Sequence, residues 1–426
     1  MSRTKLLETY DFIKQKIYLC SEDFSLSKNK FNSALILGLL SASLDGKILY
    51  TGEYGLGKTT LAESIASLTS SLPRSIVSTA TLKGHPELSY EHIIGRPHLG
   101  KLNQGEEKVI WSNFVNFPVK VVDEVNRIPE QKQNLLLTGM QDNVWSYLNE
   151  TKKSEVSPWF GTKNYEDGGN FDIIPPLKDR FDIAVESKNP GVNITRLLRF
   201  KNTSTIDYPD IKKKYEDLLK KDESAIDLIK KNFADAIKKD YDLELLTNKD
   251  FFNIKKEISN IPYDLEANYF FDALTAELGS CQVYGQKRTT DTCPDGCHYS
   301  KYSCFSVKNT LSIRSINAIN NYSKALAWLD GKDEVTPLHV AKITPYVLWH
   351  KTAIKDEFFE KSYEQKRQEP TELNFFQKEV ENIKRRASKI KKEQDQVIKH
   401  ILNGDVQQAA SKAKSLEHPV FKEYLK

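Results

Sequence analysis

The sequence predicts an α/β domain with a parallel sheet flanked by helices, followed by a mainly helical C-terminal part. Three observations lead to this prediction. Short apolar strands alternate with helical patterns up to Lys188, which is typical of a parallel sheet. A glycine-rich loop, Gly52–Thr59, lies between a strand and a helix. Beyond Lys188, apolar residues recur mainly at helical spacing.

Eight elements are predicted between Phe31 and Val185. Each strand is a short run of apolar or β-branched residues, and each hairpin surrounds a polar turn. The predicted elements are a helix over Phe31–Ser43, a strand over Lys47–Thr51, a helix over Thr60–Leu68, a strand over Ser75–Thr79, a hairpin over His98–Trp111, a strand over Val119–Asp123, a hairpin over Val144–Phe160 that turns at Asn149–Thr151, and a strand over Phe181–Val185.

Composition limits the function classes. The chain has 426 residues, enough for two or three domains, and a net charge of only +4. That charge gives no bulk electrostatic case for nucleic acid or membrane, although a local basic groove stays open. Charges throughout Met1–Tyr18 argue against a signal peptide, and the apolar run Ala34–Leu40 is too short to span a bilayer. We therefore expect a soluble, cytoplasmic protein.

The glycine loop fits the pattern G-x-x-x-x-G-K-T. Its glycines allow backbone N–H groups to surround phosphate oxygens, and the following helix directs its positive end at them. Lys58 can reach the β- and γ-phosphates, and the Thr59 hydroxyl can bind Mg²⁺. A chance glycine turn is the alternative, which the strand and helix on either side disfavour. The predicted nucleotide-binding residues are Gly52, Glu53, Tyr54, Gly55, Leu56, Gly57, Lys58, Thr59 and Thr60, with Asp123.

Asp123 and Glu124 end the apolar strand that begins at Val119. Bare carboxylates are costly beside a buried strand, and a bound metal would justify them. Asp123 would hold Mg²⁺, and Glu124 would orient and deprotonate the attacking water. An ordinary acidic turn is the alternative, and the nearby glycine loop disfavours it.

Two further residues are candidates for the same chemistry. Asn164 follows a strand and could hold the water or the γ-phosphate, or could simply form a turn. Arg180 could act on a neighbouring subunit's nucleotide as an arginine finger, with Arg127 as the next candidate. From spacing alone, a surface ion pair is favoured for Arg180.

At these residues the chain resembles the MoxR-type AAA+ ATPases. The stretches Val122–Pro129, Gln133–Leu137 and Met140–Asp142 are similar to the extended Walker B pattern of that family. The resemblance covers roughly residues 25–351, with gaps. It implies an α/β P-loop AAA+ core with a C-terminal α-helical lid domain. It assigns Asn164 as the first sensor, Arg180 as the finger and Arg314 as the second sensor, and it places the last lid helix after Val335–Pro337.

The resemblance also implies an assembly. A helix-2 insertion falls on His98–Trp111 and a hairpin before the first sensor on Val144–Phe160, both pointing toward the pore of a hexameric ring. ATP would bind at each subunit boundary. Such ATPases are associated with von Willebrand factor A-domain proteins and act as chaperones for complex assembly or metal insertion.

The domain organisation follows from these assignments. The predicted parts are an N-terminal helical segment at 1–24, the nucleotide-binding domain at 25–200, a charged helical insertion at 201–242, the lid at 243–351 with a Cys-rich insertion at 279–309, and a charged helical tail at 352–426. The tail reads as a solvated helix pair rather than a partner-binding module.

The chain departs from the family pattern at Tyr54, where proline is usual, and in the Cys-rich insertion. Four thiols could bind a structural Zn²⁺ tetrahedrally, with free thiols or a disulfide as alternatives. A catalytic metal is disfavoured, because four Cys ligands leave no open position. The predicted ligands are Cys281, Cys293, Cys297 and Cys304, with His298 as a substitute for Cys297.

Three functions are therefore compared. The first is an ATPase that remodels a protein client. The second is a nucleic-acid motor, in which lysines on the two hairpins track a phosphate backbone. Those lysines are Lys101, Lys108, Lys152 and Lys153. The third is an ATP-gated scaffold without turnover, which would not need the Glu124 carboxylate.

Overall fold

The computed structural model describes residues 2–165, 171–189, 207–208, 210–211, 213, 225–279, 297, 299–359 and 371–424. The chain divides into two compact units, Met1–Glu257 and Ile258–Lys426. The domain boundaries predicted at 24, 200, 242 and 351 stay predictions. Cys281, Cys293 and His298 lie outside the described residues, as do residues 201–206 and 214–224 of the charged insertion.

The strands of the first unit are short. They are β1 (Asp23–Leu26), β2 (Asn29–Asn32), β3 (Lys47–Gly52), β4 (Leu82–Lys83), β5 (Gly95–Pro97), β6 (Val109–Trp111), β7 (Lys120–Asp123), β8 (Val144–Tyr147), β9 (Glu150–Lys153), β10 (Trp159–Asn164) and β11 (Ile183–Ser187).

Five of these strands form one parallel sheet in the order β11-β3-β10-β7-β4. Every residue of the edge strand β11, and all but the first of the interior strand β3, is buried, as expected for a parallel sheet covered on both faces. In the register, Asn164 of β10 lies opposite Gly52 of β3. The carboxyl ends of the two strands therefore meet at one edge, and the predicted parallel α/β sheet is confirmed.

The helices of the first unit surround this sheet and the hairpins. They are α1 (Ser2–Lys16), α2 (Ser33–Leu44), α3 (Lys58–Ser70), α4 (Arg74–Ala80), α5 (Tyr90–Ile93), α6 (Leu99–Leu102), α7 (Asn113–Asn116), α8 (Glu130–Asp142), α9 (Pro175–Arg180), α10 (Ala225–Tyr241) and α11 (Asn248–Ser259), with a 3₁₀ turn at Val125–Arg127. Residues 33–43 of α2 are all buried. This helix begins where the Asn32 side chain accepts a hydrogen bond from the backbone N–H of Leu35.

The predicted strand over Ser75–Thr79 is wrong, because this segment lies inside helix α4. Its β-branched residues favour a strand, but Ile76, Val77 and Ala80 are buried at helical spacing. Arg74 at the start of α4 forms an ion pair with Glu63 of α3 (Nη2–Oε2 2.9 Å). The edge strand is instead β4, whose two residues follow this helix.

Both predicted hairpins are present, with corrections. The first pairs β5 with β6 and contains α6 between them, so its first strand lies before the predicted start at His98. The second pairs β8 with β9, and Tyr147 faces Glu150 across a turn at 148–149, not at Asn149–Thr151. Phe160 belongs to β10 of the main sheet instead of this hairpin. The Tyr90 and Tyr147 rings lie 5.1 Å apart, so the segment leading to β5 contacts the second hairpin.

The second unit is helical where the structure describes it. Its helices are α12 (Leu265–Leu278), α13 (Ile313–Asp330), α14 (Pro337–Leu348), α15 (Glu372–Leu402), α16 (Val406–Lys414) and α17 (Pro419–Glu423), with a 3₁₀ turn at Ser303–Phe305. Helix α15 packs against α12 and α14 and buries Phe376, Ile383 and Val397. The tail is therefore not the solvated helix pair that its charges indicate.

Among the helices that the structure describes, none combines the length and apolar character needed to cross a membrane.

Candidate active site

The glycine loop connects β3 to α3 and adopts a conformation that only glycine tolerates well. Gly55 and Gly57 have positive φ angles of 76° and 72°. A Cβ atom on Gly52 would lie 2.4 Å from the carbonyl oxygen of Ser187 on the neighbouring strand β11. Helix α3 begins directly after Gly57, so its first N–H groups are available at the loop. These features form a phosphate-binding loop.

Lys58 lies folded against the loop. Its Nζ donates to the carbonyl oxygens of Gly52 (2.9 Å) and Glu53 (2.5 Å). Burial lowers the pKa of Lys58, and the nearby Asp123 and Glu124 carboxylates oppose that shift. The ammonium is thus held beside the glycine loop, facing the acidic end of β7.

Asp123 and Thr59, the two predicted magnesium ligands, lie in contact. The Asp123 Oδ1 accepts hydrogen bonds from the hydroxyls of Thr59 (2.5 Å) and Thr162 (2.7 Å). A carboxylate beside a hydroxyl presents only oxygen donors, which is the set that Mg²⁺ prefers. The two residues therefore fit a magnesium ion at this edge of the sheet.

Glu124 and Asn164 are also brought together. The amide of Asn164 donates to Glu124 Oε1 (2.6 Å), and Arg127 Nε lies 3.2 Å from Oε2. Glu124 has a left-handed backbone (φ 52°, ψ 56°). Its N–H donates to Thr162 Oγ1 (2.9 Å). Backbone strain of this kind concentrates at functional sites.

Sequence reasoning missed Thr162 and Asn126. Thr162 binds both Asp123 and the backbone of Glu124, while Asn126 exchanges hydrogen bonds with the backbone of Asn164 (Nδ2–O 3.2 Å, N–Oδ1 3.4 Å). Thr162 could have been predicted as a site residue from its spacing to Asn164, because alternate residues of a strand lie on the same face.

Arg180 ends helix α9, and the structure places it against α8. Its Nη1 donates to the carbonyl oxygen of Pro176 (2.9 Å), and its Nη2 donates to Gln141. The fully buried Gln133 joins α8 to the segment that precedes α9. Its amide donates to the carbonyl oxygen of Asp172 (3.0 Å) and accepts from the N–H of Ile174 (2.9 Å). Arg180 is thus held by α8 and α9, whereas Glu124 is held by Asn164 and Arg127.

Arg314 lies in the second unit, exposed in the first turn of α13. Ser312 begins that helix by accepting a hydrogen bond from the N–H of Ser315 (3.1 Å). Arg314 is thus the second residue of α13, and its role as the second sensor stays a prediction.

Two of the four predicted zinc ligands are described. Cys297 and the buried Cys304 pack into one cluster with Tyr299 and Tyr302. The Cys304 thiol donates to the carbonyl oxygen of Tyr299 (3.7 Å). In the described part of the chain, no group of three or more His, Cys, Asp or Glu residues could hold a metal ion. The zinc site stays a prediction.

Comparison with known proteins agrees with this geometry. Residues 47–181 match the AAA domain of the dynein-related subfamily, and residues 306–373 match an AAA lid domain. The fold is similar to the crystal structure of a protein from Cytophaga hutchinsonii named provisionally as an ATPase. The TM-score is 0.59 and the identity 17%, over 90% of this chain and 94% of that one. A comparison with curated proteins gave no match.

The matched AAA domain contains the whole glycine loop and the strand end that carries Asp123 and Glu124. An AAA lid domain follows it, and the two domains together support ATPase activity.

Proposed function

We propose that this ATPase couples Mg-ATP hydrolysis to the remodelling of a protein client. The loop N–H groups and Lys58 bind the phosphates, and Thr59 with Asp123 holds Mg²⁺, which when bound neutralises charge on the phosphate oxygens. Glu124 accepts the proton of the attacking water, and Asn164 orients Glu124. The contacts of Glu124 with Asn164 and Arg127 support a function that includes ATP hydrolysis, rather than an ATP-gated scaffold without turnover.

Two substitutions separate binding from hydrolysis. Lys58→Ala should abolish ATP binding, because the ammonium beside the loop is lost. Glu124→Gln should bind Mg-ATP with wild-type affinity and lower kcat by roughly 10²–10⁴-fold, because an amide cannot accept the proton. Nucleotide titration and steady-state turnover measure the two effects.

The exposed Glu130→Gln is the matched control for Glu124→Gln and should keep wild-type turnover. Wild-type turnover in Glu124→Gln would remove Glu124 from this role.

The assembly we propose is a closed ring, with a hexamer as the expected size. Arg180 acts in trans on the nucleotide of the next subunit, and Arg314 acts as the second sensor. A trans finger needs a head-to-tail interface, and such an interface generates a ring when the rotation between subunits closes. The partly exposed position of Arg180 at the end of α9 supports this role.

The observation that carries the choice of a protein client is the apolar surface of the two hairpins. Four large apolar side chains are exposed there: Leu99 (72%), Leu102 (43%), Ile110 (42%) and Leu148 (44%). Exposed apolar groups of this kind suit contact with an apolar peptide segment.

The hairpin lysines give weaker support to a nucleic-acid motor. Lys101 forms an ion pair with Glu106 (3.0 Å), and Lys152 donates to the side chain of Asn116 (2.6 Å). Both ammonium groups are therefore engaged within the chain, which reduces the charge available to a phosphate backbone.

The client class is tested by stimulation of the ATPase. A reduced, carboxymethylated globular protein should raise turnover more than a single-stranded DNA oligonucleotide does. Leu99→Ser with Leu102→Ser should remove most of this stimulation, measured relative to the basal rate of each variant, because the apolar contact is lost. Leu402→Ser, at a leucine of α15 that is 79% exposed, is the control.

A nucleic-acid motor predicts the opposite pattern. The oligonucleotide would then stimulate more strongly, and Lys101→Ala with Lys108→Ala would abolish its effect. The resemblance to MoxR-type ATPases makes a von Willebrand factor A-domain protein the first partner to test, and the cytoplasmic location stays a prediction.

A further inference from the structure

We infer that Arg127 is a positioning residue for Glu124 of its own subunit and acts in cis, not as an arginine finger in trans. The inference rests on the proposed role of Glu124 in hydrolysis. Arg127 is also the residue that would be the arginine finger if Arg180 were not.

The backbone between the two residues brings them together. Strand β7 ends at Asp123, and the left-handed conformation of Glu124 starts the 3₁₀ turn Val125–Arg127. The N–H of Arg127 donates to the carbonyl oxygen of Glu124 (2.8 Å), closing the turn. The guanidinium thereby returns to its own carboxylate, with Nε 3.2 Å from Oε2.

The second carboxylate oxygen is held from a different element. Asn164 of β10 donates to Oε1 (2.6 Å), and Asn126 fixes the backbone of Asn164 in turn. Glu124 Oε1 therefore accepts a hydrogen bond from Asn164, and Oε2 faces the guanidinium charge of Arg127. Without that charge, the carboxylate can rotate about its side-chain bonds, and fewer molecules hold it toward the attacking water.

The Arg127–Glu124 pair is partly exposed, with 37% and 29% of the two side chains accessible. Exposed ion pairs contribute little to stability. Loss of the guanidinium should therefore change turnover without unfolding the domain. The cis contact also distinguishes Arg127 from Arg180. The Arg180 guanidinium instead donates to Gln141 of α8 and to the carbonyl oxygen of Pro176 of α9.

The first experiment measures the kinetics of single variants. Arg127→Ala should lower kcat about tenfold or more and leave KM within about twofold, because Glu124 does not bind the ground-state nucleotide in this scheme. Arg127→Lys should recover part of kcat, since an ammonium can restore the charge but not the planar Nε contact. Arg385→Ala, which removes an exposed arginine of α15, is the control and should behave as wild type.

The outcomes distinguish this inference from the proposed function. If Glu124→Gln retains turnover, the role of Glu124 fails. If Glu124→Gln is inactive and Arg127→Ala has wild-type kcat, only the positioning role of Arg127 fails. Should Arg127→Ala not fold, Arg127→Lys and Arg127→Gln give the same comparison, and equal kcat in both and in wild type would overturn the role.

The second experiment separates cis from trans action in mixed assemblies. Mixing Glu124→Gln with Arg127→Ala subunits should give no more activity than the sum of the activities of the two variants measured separately. The reason is that the first variant lacks the Glu124 carboxylate and the second lacks the residue that positions it. Activity above that sum would make Arg127 a trans residue and overturn the inference. Glu124→Gln mixed with Arg180→Ala is the matched control, in which a boundary can combine an intact Glu124 with an intact Arg180.

Discussion

At the scale of single residues, Lys120 is unusual because it is a charged side chain enclosed in the strand that ends at Asp123. It is 1% exposed. Its Nζ donates to the carbonyl oxygens of Val115 (3.1 Å) and Phe117. Burial, together with the smaller effect of the Lys152 charge, lowers the pKa of Lys120 to about 7. The sequence marked this lysine as the polar residue of an apolar strand, but its carbonyl partners depend on how α7 packs.

Lys120 should make stability depend on pH. Its folded-state pKa lies below its unfolded value of 10.5, so the unfolded chain binds more protons between about pH 7 and 10. The unfolding free energy should rise with pH in that window, by about 1.4 kcal/mol per pH unit for one full proton. In Lys120→Met this contribution is absent. Urea unfolding at pH 7, 8 and 9 should show that the unfolding free energy of the wild type increases with pH relative to that of the variant. If the unfolding free energies of the two proteins change in parallel with pH, the assignment of Lys120 as a buried lysine with a lowered pKa is wrong.

At the scale of elements, the sequence predicted those whose signal is local. The glycine loop, β3 and α3 follow from a motif with an apolar run before it, and β7 follows from its apolar run and terminal carboxylates. The strand prediction for Ser75–Thr79 was wrong because the β-branched residues of this segment favour a strand, whereas its contacts with α3 favour a helix.

The candidate site was predictable to the level of strand ends. Parallel strands bring their carboxyl ends to one edge, which accounts for the meeting of Asp123 and Asn164 with the glycine loop. The return of Arg127 to Glu124 was not predictable, because it requires a non-glycine residue in a left-handed conformation. The buried face of α15 was predictable in principle, because its apolar residues recur at three- and four-residue spacing, but the many charges of the helix were given more weight.

At the scale of the whole molecule, the second unit extends beyond the matched lid domain. That match ends at residue 373, yet α15 and α17 pack on α12 within the same unit. A buried charge network joins them. Glu277 of α12 accepts two hydrogen bonds from Arg386 of α15 (2.9 and 2.6 Å) and lies 3.1 Å from His418 Nε2. The tail is therefore structurally part of the unit that carries Arg314.

Removing Arg386 should destabilise this unit. Burial alone would raise the pKa of Glu277, but hydrogen bonds from His418 and Arg386 outweigh it, and the pKa is lowered. Glu277 is fully buried, so Arg386→Ala would leave a poorly compensated charge, at a cost of ~3–5 kcal/mol. Calorimetry of the full chain should show the transition of the second unit at lower temperature.

The control for Arg386→Ala is Lys391→Ala, which breaks a solvent-exposed pair with Glu266 on the same two helices. An exposed pair contributes only ~0–1 kcal/mol, so this transition should hardly move. Adding Glu277→Gln to Arg386→Ala should recover part of the loss, because the neutral amide no longer needs a counter-charge. Equal shifts in the two single variants, or no recovery in the double variant, would show that the tail is held by apolar packing alone.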